Sequence, residues 1–171
     1  MNVQAAIKFF VFFVFMIMLV RNAWADWSVH TEDDAFGKDA VVTLHGNFGD
    51  ISDILFECKS KQLTAHYLEK NIYSDPERSG IIAQEMAIKI DNNPPVIFND
   101  VQLYRRNHNY ISVRSFDTDK IKASLALLKV SKVGVVAGVK LKSGVKVSAS
   151  GDFHNAEKAV KKFIRQCGIT L

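Results

Sequence analysis

The sequence predicts an α+β domain dominated by antiparallel sheet, folded as a sandwich or half-barrel with two helices, the C-terminal one disulfide-tied to the sheet. Three observations carry this expectation. Short apolar segments at strand period fill most of the chain, two later segments recur at helical period, and one cysteine falls in each kind of segment.

The first 25 residues stand apart from this pattern. They hold a weakly basic start with Lys8, an apolar run over 9–20, and a short polar stretch ending Ala23-Trp24-Ala25, in the order a signal peptidase substrate needs. Twelve apolar residues rise about 18 Å as a helix, against a hydrocarbon core of about 30 Å, so the run reads as a cleavable signal peptide. No cysteine follows the small residues, so a lipoprotein anchor has no attachment point. Cleavage after Ala25 leaves residues 26–171, one exported β-rich domain with no stable membrane span.

Charge follows from the same cut. The chain has 22 basic and 18 acidic residues, and removal of Lys8 and Arg21 leaves 20 against 18. That balance, with no basic block of five or more, points away from nucleic acid as a partner.

In chain order, strands are expected over 27–30, 40–45, 54–58, 63–67, 83–90, 101–106 and 110–115. Lys59-Ser60-Lys61-Gln62 and Asn107-His108-Asn109 read as hairpin links, the stretch 71–80 with Pro76 as an exposed loop, and Asp91 to Pro95 as a break. Near Asp117 the period changes, since Ile121, Leu125 and Leu128 recur at four and three, with Asp117 or Thr118 as N-cap. A hairpin over 133–141 and 145–150 follows, and then a helix over 156–166 with Asn155 as N-cap and Gly168 as its left-handed terminator.

The cysteines fit this layout. Cys58 shares a strand face with Ile54 and Phe56, while Cys167 lies on a helical stripe with Ala156, Val160 and Phe163. Both therefore point into the core. In an oxidising compartment they are expected to pair, closing a loop of over a hundred residues worth about 4 to 5 kcal/mol.

No catalytic or cofactor motif emerges. The histidines at 30, 45, 66, 108 and 154 are single and lack zinc-site spacing. The run from His30 through Glu32 and Asp33 to Asp34 offers metal-ligand types, or simply a solvated acidic turn. No Gly-x-Ser-x-Gly elbow occurs, and Glu57 and Asp91 are expected to face solvent. Two surfaces are candidates for binding. The loop region with Tyr104, Arg105, Arg106, His108 and Tyr110 concentrates residue types common at recognition hot spots, or forms a hairpin tip with Tyr104 and Tyr110 as a cross-strand pair. Lys140, Lys142 and Lys146 alternate with Val139, Leu141, Val145 and Val147, a basic face for an anionic envelope component or a coat that discourages edge pairing.

A start at Trp27, the Phe56-Glu57-Cys58 strand, Ile90-Asp91 before a proline turn, and Val147-Ser148-Ala149-Ser150-Gly151 before a helix reaching Cys167 form a recognisable layout. It resembles small periplasmic proteins of the invasion-associated locus B family and the type VI secretion accessory VasI family. The resemblance implies a non-enzymatic periplasmic or secreted protein, accessory to virulence or a secretion system, with a protein partner in the envelope or host. An inhibitor or immunity protein against a cell-wall hydrolase, acting through residues 105–109, is the alternative. A glycan or cell-wall hydrolase is the third. N-terminal sequencing of the exported protein is expected to begin at Asp26, and a start at Met1 would refute cleavage.

Overall fold

The computed structural model describes residues 26–33, 40–70 and 81–171; the segment expected to be a signal peptide, Asp34 and the expected loop over 71–80 lie outside the described residues. Twelve elements follow in order: β1 (Trp27–Glu32), β2 (Val41–Asn47), β3 (Ser52–Lys59), β4 (Gln62–Lys70), β5 (Ala83–Ile90), β6 (Val96–Phe98), β7 (Gln102–Arg105), β8 (Tyr110–Ser115), α1 (Thr118–Val130), β9 (Val135–Leu141), β10 (Lys146–Gly151) and α2 (Ala156–Cys167). The strands form a six-stranded sheet ordered β1-β2-β3-β4-β8-β7 and a four-stranded sheet ordered β10-β9-β5-β6. Every pairing is antiparallel. The α+β expectation holds.

Alternation sets which residues enter the core. Ile54, Phe56 and Cys58 of β3 point the same way as Leu63, Ala65 and Tyr67 of β4, and meet Met86, Ile88 and Ile90 of β5 in one buried cluster. Helix α1 contributes Ile121, Leu125 and Leu128, and α2 contributes Ala159, Val160 and Phe163. Each fully buried Leu, Ile or Phe is worth roughly 1.5–3 kcal/mol.

Turn chemistry explains several joints. Ser60 and Lys61 both take positive φ, 49° and 66°, the backbone of a two-residue hairpin whose twist matches its strands. Asp117 caps α1, its side chain accepting from Lys120 N at 3.1 Å. Gly168 ends α2 at φ 65°, donating its N–H to Ile164 O.

Trp27 ties the first strand to the end of the chain. Its Nε1 donates to Asp152 O at 3.1 Å, and its ring lies edge-on to Phe48. The ring also covers Gly46, where an added Cβ would sit 2.8 Å from it, so only glycine fits there.

Three local expectations are corrected, and one short strand is added. Asn155 does not cap α2 with its side chain; it adopts φ 62° and its Nδ2 donates to Asp26 Oδ1 at 3.3 Å. The prolines at 94 and 95 precede an edge strand, β6, too short for its periodicity to show. Tyr104 stands opposite Ser112, so Tyr104 and Tyr110 are not a cross-strand pair. Val145 lies in the turn of the β9–β10 hairpin, 54% exposed, because that turn takes it out of the alternation.

Cys58 and Cys167 form the expected disulfide, with Cα atoms 6.0 Å apart across a separation of 109 residues. It joins the middle of the six-stranded sheet to the last residue of α2. Cys58→Ala with Cys167→Ala is expected to lower unfolding free energy by about 2–5 kcal/mol, read from urea denaturation. An unchanged midpoint would contradict that role.

Candidate functional site

Register places a set of polar side chains together on the outer face of the six-stranded sheet. His45, Leu55, His66, Arg114 and Gln102 form one row across β2, β3, β4, β8 and β7. His30, Thr43, Glu57 and Thr64 form another across β1 to β4. An outer sheet face ordinarily meets water. Here part of it is covered, because Arg106 at the tip of the β7–β8 hairpin reaches back to Glu57, three strands away.

The covering creates a buried polar network centred on His66, whose side chain is 2% exposed. His66 Nε2 lies 3.1 Å from Glu57 Oε2 and 2.9 Å from Thr64 Oγ1. On the other side of the ring, Nδ1 lies 3.1 Å from Ser112 Oγ and 3.3 Å from the Tyr104 hydroxyl. A carboxylate only accepts, whereas a hydroxyl can donate, so this arrangement assigns the proton to Nε2. The neutral ring then donates to Glu57 and accepts from a hydroxyl.

Charges around the ring keep these states in place. Burial pushes His66 below its ordinary value and outweighs the opposing pull of Glu57. Burial alone would raise the Glu57 carboxyl, but hydrogen bonds from His66 and Arg106 prevail and hold it at about 2. Arg106 is reciprocally raised: burial opposes its charge, and the Glu57 contact overcomes that. Arg114 stacks over the rings of Tyr104 and Phe116, at 4.6 and 4.7 Å, which holds Tyr104 against the sheet.

Ser112, His66 and Glu57 thus have the order of a nucleophile, a base and an orienting carboxylate. The hydroxyl is sealed, however, since Ser112 is 0% exposed and a substrate carbon could not approach it in this conformation. In this conformation the line of bonds fastens the hairpin to the sheet. Beside it lies an open hollow of about 450 Å³ whose polar lining is His30, Glu32, Thr43, His45, Glu57 and Arg106. His45 Nε2 is 3.3 Å from Asp53 Oδ1 at its edge.

The binding candidates from the sequence divide. Tyr104 and Arg106 turn inward as part of the network, and Tyr110 is half-buried. Arg105 and His108 belong to the outer tip, where Arg105 Nη1 contacts the carbonyls of Asn107 and His108 at 3.5 Å. Asn107 Oδ1 accepts from the backbone N–H of both Asn109 and Tyr110 at 2.9 Å, which folds the tip into one shape. Lys140 and Lys146 stand opposite each other on the outer face of the four-stranded sheet, with Lys140 paired to Glu85 at 3.5 Å. Lys142 sits apart at the exposed turn.

One solvent-facing expectation, that for Glu57, is overturned, while Asp91 lies in a turn as expected. Glu57 is half-buried because the hairpin closes over it. Asp91 accepts from Ser131 Oγ and from the backbone N–H groups of Lys132, Val133 and Gly134, so it organises the turn after α1. His30 and Glu32 belong to β1, and the described residues contain no group of three metal-ligating side chains. His66 stands alone in the sequence and Ser112 carries no motif, and only the β3–β4 register puts Glu57, Thr64 and His66 on one face.

Comparison of the chain with protein-family models, curated proteins and solved structures finds no match.

The network makes stability pH-dependent with a definite sign. Because folded His66 binds its proton less readily than the unfolded residue, stability falls as pH drops below the ordinary 6.5. Glu57, held at about 2 against an ordinary 4.5, adds a second loss as pH falls between those values. Unfolding free energies from urea denaturation are expected to decline from pH 8 to pH 4, with a slope of up to about 1.4 kcal/mol per pH unit for one titrating group. His66→Gln is expected to flatten the upper limb, and Glu57→Gln to cost about 1–3 kcal/mol at neutral pH. A His66→Gln profile parallel to the parent would refute the assignment.

Proposed function

We propose that this is an exported, non-catalytic binding domain that recognises a protein partner in the envelope or host through the tip of the β7–β8 hairpin. The observation that carries the reading is the division of the hairpin into an inner side and an outer side. Tyr104 and Arg106 lock the inner side to His66 and Glu57, and Asn107 shapes the exposed tip. A loop that is already ordered loses little conformational freedom on binding, so more of its contact energy appears as affinity. The adjacent open hollow gives a partner's side chains a polar recess beside the tip.

Two other features support the setting. A buried disulfide joining distant parts of the chain suits an oxidising compartment, as the signal peptide implies. The resemblance to the invasion-associated locus B and VasI families points the same way, towards an accessory role in virulence or secretion. A pre-organised tip also favours the second reading, an inhibitor or immunity protein that places residues 105–109 in the cleft of a cell-wall hydrolase.

Affinity capture from periplasm with the mature chain, compared with His108→Ala/Asn109→Ala, tests the proposal. The parent is expected to retain a stoichiometric partner that the variant loses. Asn107→Ala is expected to weaken the same complex roughly 5- to 10-fold, as the loss of one or two hydrogen bonds ordering the tip implies. Equal retention by all three proteins would sink the role of the tip, and a hydrolase as the retained partner would favour inhibition.

A further inference from the structure

A second surface is defined by charge and by exposed aliphatic side chains rather than by loop shape. On α2, the spacing of Lys158, Lys161, Lys162 and Arg165 places them on one face, opposite the buried stripe of Ala156, Ala159, Val160, Phe163 and Cys167. These four cations line an open hollow of about 690 Å³ that also includes Ser131. Ser131 belongs to the turn after α1, so that turn and the helix face form one surface. Lys129 and Lys132 flank Ser131 in the chain and add two cations to the turn beside this face.

The turn carries Val130 and Val133, 68% and 70% exposed. It is held rigidly, because the Asp91 carboxylate gathers Ser131 Oγ and three successive backbone N–H groups. Of the nearby carboxylates, Glu157 pairs with Lys161 and cancels that charge, while Asp91 and Asp26 accept from uncharged donors. Five cations without a carboxylate partner among the described residues (Lys129, Lys132, Lys158, Lys162 and Arg165) therefore leave the surface beside the two protruding valines net positive. A second copy of the chain would bring like charge against like charge, whereas an anionic bilayer offers phosphates to the cations and an acyl boundary to the valines.

We infer that the outer face of α2 and the Val130–Val133 knuckle dock this domain on an anionic phospholipid bilayer. The lysines and arginine supply attraction within about a Debye length of the headgroups, and the valines enter the headgroup layer. The contact is peripheral and reversible. It goes beyond the protein recognition proposed for the β7–β8 hairpin and does not depend on it, since the two surfaces use different elements.

Vesicle cosedimentation of the full mature chain tests it. The probe is phosphatidylcholine vesicles with about one third phosphatidylglycerol, against phosphatidylcholine alone, at low and physiological salt. The parent is expected to bind the anionic vesicles, to release them as salt rises, and to leave the neutral ones. Lys158→Gln/Arg165→Gln is expected to weaken binding roughly 30-fold, about fivefold for each charge removed, and Val130→Ser/Val133→Ser several-fold. Lys140→Gln/Lys146→Gln on the four-stranded sheet is expected to leave it unchanged. Equal binding to neutral vesicles, no binding to either, or loss of binding only in the Lys140/Lys146 variant would each overturn the inference. So would a self-associated parent that Lys158→Gln/Arg165→Gln converts to a monomer without loss of vesicle binding. Urea midpoints of all variants, expected to match the parent, separate a lost surface from a lost fold, and hairpin-tip capture is unaffected by either result.

Discussion

The bond between Cys58 and Cys167 joins the middle of the large sheet to the final turn of the last helix, and much of the architecture is arranged around that closure. Helix α2 has an apolar stripe but a strongly basic opposite face, so on its own it would be a soluble peptide with little reason to stay folded. Burial of Val160 and Phe163 beneath the sheet gives it a place, and the disulfide prevents its departure. Trp27 reinforces the closure from the other terminus by bonding to the segment just before α2. The first strand, the central strand and the last helix are thereby held as one unit.

Two carboxylates then settle features that the hydrophobic core leaves open. Glu57 receives Arg106 and His66 and so fastens the β7–β8 hairpin across the outer face of the sheet. Asp91 receives four donors from the turn after α1 and so presents Val130 and Val133 outward. The physical logic is shared: one deprotonated group satisfies several donors that would otherwise need water, and a loop becomes rigid as a result. In each case the rigid loop is beside a hollow with polar lining. The proposed recognition surfaces therefore depend on charge placement more than on apolar packing.

The Ser112–His66–Glu57 line shows why connectivity alone is poor evidence of catalysis. Three residues stand in the order of a hydrolytic triad, yet the hydroxyl is enclosed and the carboxylate is shared with Arg106. A buried histidine on the outer face of a sheet is better explained by the hairpin that covers it. Its neutral ring serves as both donor and acceptor, which few other side chains could do in the same space.

Sequence alone determined the α+β class, most strands, both helices, the α1 cap at Asp117, the glycine terminator at 168 and the pairing of Cys58 with Cys167. These depend on local periodicity, or on two thiols that each had one inward-facing choice. Tertiary structure decided the rest: the short edge strand β6, the inward turn of Tyr104 and Arg106, the burial of His66 and Glu57, and the work done by Asp91. Apart from β6, which was too short to show its period, those outcomes turn on contacts between residues about 40 or more positions apart, such as Glu57 with Arg106 and Asp91 with Ser131. Alternation says which way a side chain points from its own strand. It does not say that a distant hairpin will fold over that face, and that step turned a solvent-facing carboxylate into a partner for a distant arginine.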